Sequence, residues 1–546
     1  MLPLLGGCGA REPGRAVRAL RPCRSQGQRH FRVLVFGDEP AGVMTALELR
    51  RRLRDGSGRP PPIALVTDAD IRRGLGGTIA RAGLAYLDRN QVPADLWATV
   101  GPFAPSSELF ARFLRISGAA EIAVDPRRLS SRFHAALAQA GITVLPEAGS
   151  RGAVLEGRRL CLLSSDRWGR LGADLFIDAS LGGRLAQLAG VPFQPGLGSG
   201  PMATQTLALG WIFELEGLRL EDLHRLEASL SRRLLDRHDL QAQQWLRHWP
   251  QYRHDRRRLL HDLLDAGGHP RLAWSATADS ADQRSPALAI AVHGEEGGDP
   301  FGPHWRYRFD KANVAILPGR LSLNALLLAN DPGRNRQLLA HQGSPPPGSA
   351  ELAARLTHFF RRHGARRVRW MPELYIRSAD QIAHPLQALS AARMAQGGVD
   401  PSEALGTFTY PLDFRGLISD RLPRARPTFN FGYRHTLPRE RDNLAVLGPA
   451  AGYGGLGAGA GRIIELNISV GQGLAIASAL ALEQGVPLAV VRPDRVAQVM
   501  SPGYAPYGRP SRRTALQLLL RRVEALLEPL SAREDQLLRR LRAPAD

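Results

Sequence analysis

Apolar residues in the first part of the chain alternate between short unbroken runs and runs spaced three or four apart. RVLVF at 32–36 is an apolar run of strand length, and residues 43–53 carry the spacing of a helix with one buried face. GRPPP at 58–62 ends that helix, and IALVT at 63–67 reads as a second strand. A strand, a helix and a strand in that order predict a parallel sheet covered by helices. Residues 127–140 repeat the helical spacing as far as Gly141, and ITVLP at 142–146 gives another strand. Two short strand-like segments then lead to ADLFIDAS at 173–180.

The pattern changes from about residue 206. TLALGWIFELEG at 206–217 reads as a strand, followed by basic helical stretches and loops rich in Gly, Pro and Asp. QGSPPPGS at 342–349 has the composition of a surface loop, and no internal repeat is visible. Strand, Gly-rich loop and long small-residue helix return with NLAVLG at 443–448. The expected fold class is α/β: a Rossmann-like domain on a parallel sheet, with an inserted mixed α+β domain that would bind substrate. The boundaries expected are a disordered extension at 1–30, the first part of the Rossmann-like domain at 31–205, the inserted domain at 206–425, the last part of the Rossmann-like domain at 426–490 and a helical tail at 491–546.

Composition narrows the function. At 546 residues, 44% hydrophobic and 23% charged, the chain is globular and long enough for several cores. No run approaches the roughly 18 uninterrupted apolar residues of a membrane span. The net charge of +21 suggests nucleic acid, but Lys311 is the only lysine, and the arginines that replace it are scattered without interleaved aromatics. That pattern favours a basic solvated surface over a nucleic-acid face. Cys8, Cys23 and Cys161 form no CxxC pair, which argues against a disulfide framework, a zinc site or a redox dithiol and favours a cytoplasmic, reducing location. No metal-ligand spacing stands out; His254 and His261 are too weak a pair to predict a site. Residues 1–30, Arg-rich and almost without acids, read as a dispensable lead-in, with a transit peptide left open.

The candidate chemistry lies in two Gly-rich turns. After the first strand comes GDEPAG, Gly37 to Gly42. A dinucleotide turn uses G-x-G-x-x-G, its middle glycine allowing close approach of a diphosphate. Gly37 and Gly42 keep the outer glycines, while Glu39 takes the middle and Asp38 adds a second carboxylate. Outward-pointing helix caps, or contacts to a ribose or a bridging water, are the expected roles of both acids. The second turn, GPAAGYGGLGAGAG at 448–461, follows a strand and precedes a helix, which argues against a linker.

Six stretches in order resemble the FAD-dependent oxidoreductases built like glutathione reductase and p-hydroxybenzoate hydroxylase, and most closely the subgroup that opens with GGTPAG-like loops. They are GDEPAG, GLGGTIARAGLAYLD at 74–88, ADLFIDASLGGRLAQLAGVPF at 173–193, YIRSADQI at 375–382, TYPLDF at 409–414 and the segment 442–472. The resemblance implies an FAD-binding Rossmann-like domain and hydride transfer between a small-molecule substrate and the flavin. It assigns cofactor contacts to Gly37, Glu39, Pro40, Ala41, Gly42, Asp68, Gly76, Gly77, Thr78, Ala179, Gly448, Gly455, Gly471 and Gln472. Arg377, Arg434 and His435 fall near the expected substrate cleft, the arginines as carboxylate anchors and His435 as an acid or base. The sequence departs from the family at Thr67, where an acid would hold the adenosine ribose; Asp68 follows it. It departs again at Pro449, where an arginine often stands. A cofactor-free binding scaffold and an RNA-interacting flavoprotein are the alternatives.

The tail at 511–542 carries leucines at three-to-four spacing among arginines, broken by Pro529. It reads as two helices docked on the chain's own surface, with peripheral contact to an anionic membrane as the alternative. Docking predicts that truncation after Pro510 causes aggregation with or without lipid. A stable truncated protein, with only the full chain co-sedimenting with anionic liposomes, would favour the membrane.

Overall fold

Strand β1 (Arg29–Phe36) is the axis of the larger sheet, paired in parallel with β2 (Ile63–Val66) on one side and β6 (Gly169–Asp178) on the other. The computed structural model describes residues 23–54, 58–92, 102–198, 203–275, 277–296, 306–414 and 426–500. The tail helices expected at 511–542 lie outside the described residues. Strand β3 (Thr143–Leu145) extends the sheet beyond β2 in parallel. On the far side β4 (Ser150–Glu156), β5 (Arg159–Ser165) and β6 form an antiparallel meander. The C-terminal half of β6 pairs in parallel with the strand Leu444–Val446, which brings a distant part of the chain back to the centre.

These strands form because Val33, Leu34, Val35, Ile63, Leu65, Leu175 and Ile177 are buried on both faces of the sheet, as a helix-covered parallel sheet requires. Helix α1 (Pro40–Arg52) covers one face, with Pro40 in its first turn. Against α1 lies the long helix Ile464–Gln484, where a Cβ on Gly471 would stand 2.3 Å from Thr45 Oγ1. Gly471 therefore serves close helix packing. The long helix has the length and apolarity of a membrane span, at mean hydropathy 1.3, yet 83% of that window is buried inside the protein. Its apolar surface is consumed by the fold.

Residues 209–370 build a second, antiparallel sheet of five strands in the order Arg367–Trp370, Leu209–Glu216, Arg320–Leu328, Tyr307–Leu317 and Ser280–Asp282. Phe213, Phe309 and Phe360 pack beside it with ring centroids 5.2–6.3 Å apart. The helices Leu220–Leu235, Ala287–Glu296 and Ser349–Arg362 cover this core. The stretch 342–348 is a loop, as its composition predicts, and Ser349 begins the helix that follows.

The structure corrects two expectations. Cys23 and Cys161 form a disulfide, their Cα atoms 5.8 Å apart. A bridge across 138 residues leaves no spacing signature, and the argument for a reducing location loses its support. The lead-in also joins the fold earlier than residue 31. The Arg24 and Ser25 amides donate to Glu156 at 2.9 and 2.7 Å, Gln28 N–H donates to Arg170 O at 2.8 Å, and β1 starts at Arg29.

Closing so long a loop removes chain entropy from the unfolded state, typically worth about 2–4 kcal/mol. Cys23→Ser is expected to lower stability by about that amount in oxidising buffer and to match the parent under dithiothreitol. Equal melting temperatures in both buffers would show that the bridge contributes nothing.

Candidate functional site

The turn from β1 into α1 crosses the end of β6 at very short range. Gly37 has φ +102°, and a Cβ there would stand 2.3 Å from Ser180 N and 2.5 Å from Ala179 C. At Gly42 a Cβ would meet that of Ala179 at 2.6 Å. Both positions therefore require glycine, the first for its backbone angle and the second for helix–strand approach. Ala179 N–H donates to Phe36 O at 2.6 Å, so Ala179 supports the turn from below.

The two carboxylates of the turn point inward, correcting the expectation that they face solvent. Glu39 is the N-cap residue of α1 by position, yet its side chain makes no capping bond. It reaches across to the loop 74–78, where Thr78 N–H donates to both carboxylate oxygens at 3.1 Å. Asp38 is buried and accepts from Gly76 N–H at 3.1 Å, Gly77 N–H at 3.3 Å and the Thr67 hydroxyl at 3.1 Å. Arg81 grips Asp38 through both terminal nitrogens and donates from Nε to Glu373 at 2.8 Å. Burial pushes the Asp38 carboxyl up, and Arg81 with the amide donors more than reverses this, holding it below its usual range. Glu39 goes the other way, pushed up by burial and by the neighbouring Asp38. Burial also raises Glu373, to about 7, against the pull of Arg81.

A cavity of about 30 Å³, room for one water molecule, opens beside Glu39. Glu39, Pro40 and Ala41 line it from the first turn, Thr78 from the loop 74–78, and Leu447, Gly448 and Pro449 from the second turn. Tyr375 and Arg462 complete it with Asn467 and apolar neighbours. Arg462 is almost fully buried, its Nη2 2.8 Å from Asp413 and its Nη1 3.6 Å from Asp88, and it donates to the Tyr375 hydroxyl at 2.9 Å. Its Nε has no hydrogen-bond partner among the described residues.

The other sequence candidates scatter. Asp68 accepts from Ser150 N–H and Oγ at 2.9 and 2.8 Å. Gly455 opens a 3₁₀ turn beside Leu197, outside the cavity lining. Gln472 accepts from Leu109 N–H at 3.0 Å and so anchors the start of the helix Glu108–Ser117. Arg377 donates to Ala208 O and Asn324 Oδ1 at 2.8 and 2.9 Å, tying strands of the second sheet. Arg434 pairs with Glu403 at 3.2 Å. None of these five lines the cavity. His435 is buried against Tyr453 and held near a pKa of about 3 by burial, so it stays neutral, a poor acid or base near pH 7. Arg81, Glu373 and Arg462 were missed because nothing in one sequence separates them from the many other charged residues.

A dinucleotide site needs a glycine-permitted turn, a helix start and backbone donors close to the diphosphate. The glycine positions supply that backbone, and a Cβ on Gly448 would meet nothing within 4 Å. The backbone fits the group, and one side chain, Glu39, stands in its place.

Glu373 carries a pH dependence. Its folded pKa of about 7 exceeds the usual carboxyl value, so the native state binds its proton more tightly than the unfolded chain. That contribution is complete below about pH 4.5 and is lost as pH rises to about 7. Glu373→Gln, which keeps an acceptor for Arg81, is expected to flatten the fall in stability between pH 5 and pH 8 measured by urea unfolding. An unchanged slope would assign the fall to other groups.

A family profile described as FAD dependent oxidoreductase matches residues 32–500. No curated protein matches the chain. Among solved structures, an L-amino acid deaminase from Proteus myxofaciens, in complex with anthranilate, is 12% identical at TM-score 0.24. That likeness covers 37% of this chain and 55% of the deaminase, little more than half of its length. The myxobacterial chondrochloren halogenase CndH, an FAD-dependent halogenase, is 10% identical over 86% of this chain and 78% of its own, at TM-score 0.36. L-proline dehydrogenase from P. horikoshii is 10% identical over 86% and 99%, at TM-score 0.34. Those scores are low, and the family match alone carries the assignment. It spans both glycine turns and everything between them, and by it the chain belongs to the FAD dependent oxidoreductase family, with FAD as its cofactor and flavin redox chemistry as its class of reaction.

Proposed function

We propose that this chain transfers a hydride between a small-molecule substrate and FAD, with the substrate held where the second turn meets the strand-to-loop segment after Trp370. One observation carries the reading. A single cavity is lined by the first turn, by the second turn and by Tyr375 and Ile376 of that segment. In open α/β sheets, ligands bind in the crevice beyond the carboxyl ends of the strands, where this cavity lies.

When bound, FAD supplies a two-electron acceptor or donor at its isoalloxazine ring. The Gly37 turn and the start of α1 would hold the dinucleotide end, and Gly448, where a Cβ would meet nothing within 4 Å, would leave room for it at the second turn. Arg462 binds and orients an acceptor group of the substrate through Nε, the one donor its neighbours leave over. A buried unpaired donor costs about 1–3 kcal/mol, which a ligand oxygen would offset. Asp413 and the Tyr375 hydroxyl fix the guanidinium plane, so the donor direction is set before a ligand arrives. Leu181, Ile376, Leu447 and Ile464 give the cavity apolar walls.

The test is anaerobic bleaching of flavin absorbance. Protein in excess FAD is challenged with amines, amino acids and 2-hydroxy acids, and at least one compound class is expected to bleach it. Arg462→Lys, which keeps the charge and loses the fork, is expected to raise the concentration needed for half-maximal rate about tenfold. Failure to take up FAD under any condition would overturn the reading, and an unchanged concentration dependence in Arg462→Lys would remove Arg462 from the site.

A further inference from the structure

Gly76, Gly77 and Thr78 present three successive backbone N–H groups to the turn after β1, and all three are taken by carboxylates of the turn itself. Both oxygens of Glu39 converge on Thr78 N–H, and a Cβ on Gly77 would lie 2.0 Å from Glu39 Oε1. A carboxylate seated on backbone amides makes the contacts that an anionic phosphate would make there. Glu39 itself stands at the middle position of the glycine turn, where the backbone of a dinucleotide site comes closest to the diphosphate, and its carboxylate crosses from there to Thr78 N–H. The cavity left beside it holds about one water molecule.

We propose that Glu39 is an internal competitor for the diphosphate of FAD, and that the cofactor enters only when the Glu39 side chain swings off Thr78. The chain has a closed form, in which its own carboxyl fills the anion seat, and an open form able to hold the cofactor. Asp38 does not take part in the exchange. The Arg81 guanidinium and the Thr67 hydroxyl hold it from behind, so it keeps Gly76 and Gly77 in place in both forms. Glu39 is the mobile partner because Thr78 is its only hydrogen-bond donor residue among the described residues, and it borders the cavity. The apparent affinity for FAD is therefore reduced by the fraction of closed chains.

This inference rests on FAD being the ligand of the turn, and the test separates the two. FAD is titrated by flavin fluorescence into the full chain and into Glu39→Gly and Glu39→Thr, and melting temperatures are recorded with and without FAD. The parent is expected to bind at least tenfold more weakly than Glu39→Gly. Without FAD, Glu39→Gly is expected to melt below the parent, because the tie to Thr78 is lost; with saturating FAD the order reverses. Glu39→Thr, which keeps a side chain too short to reach the seat, is expected to follow Glu39→Gly and guards against a folding defect of the glycine variant. Tight binding by the parent, equal to that of both variants, would overturn this inference and leave the proposed function standing. Binding by none of the three would overturn both.

Discussion

One guanidinium sets the shape of the turn between β1 and α1, on which the rest of the larger sheet's edge depends. Arg81 stands between Asp38 and Glu373, nearly sealed from solvent, and joins the turn after β1 to the loop that leads out of the second sheet. An ion pair so deep is favourable only when its remaining donors and acceptors are met, because each ion gives up its water. Arg81 meets that condition by also donating to Gly74 O, and Asp38 by accepting from Thr67 and two glycine amides. The loop 74–78 is thereby pressed against the turn, and its amides face the two carboxylates there. Glu39 inherits its position from this arrangement: with Asp38 pinned, the next side chain has Thr78 within reach.

The sheet was legible in the sequence because its signal is local. Runs such as RVLVF and IALVT are too apolar for loops and too short for helices, and they appear as β1 and β2 within a few residues of where the pattern places them. The glycines at 37 and 42 were legible for the same reason, since each answers a backbone demand that its neighbours in the chain impose. Orientation was not legible. Asp38 and Glu39 carry the signature of helix caps, and whether they face out or in depends on Arg81 and Thr78, about 40 positions away. His435 shows the same limit: its sequence neighbours suggest a reactive imidazole, and only its packing against Tyr453 shows a buried neutral ring. Arg377 and Gln472 carry the chemistry of a site and spend it on backbone carbonyl and amide groups that secondary structure leaves over.

Net charge misleads in a similar way. The excess of arginine is large, yet the arginines that matter to the cavity are neutralised within a few ångströms: Arg81 by Asp38 and Glu373, Arg462 by Asp413 and Asp88. The interior is organised as local ion clusters, and the formal excess says little about the field a ligand meets. Among the described residues, Nε of Arg462 is the nitrogen of that guanidinium left without a hydrogen-bond partner, a local fact that the total charge does not carry.

The central sheet also has a consequence for how the chain acquires its structure. Strand β1 is synthesised first, but its partner β6 arrives some 140 residues later, and the strand Leu444–Val446 that completes β6 arrives after the whole second sheet. The five antiparallel strands between residues 209 and 370 pair among themselves, Tyr307–Leu317 with Arg320–Leu328 as a hairpin and Leu209–Glu216 with Arg320–Leu328 and Arg367–Trp370 far along the chain. They can close while β1 and β6 still wait for residues 444–446 and for the long helix that seals α1. The pairing of β6 and the packing of α1 are therefore complete only once residues 444–484 have been made, so the first and last stretches of the chain finish folding together.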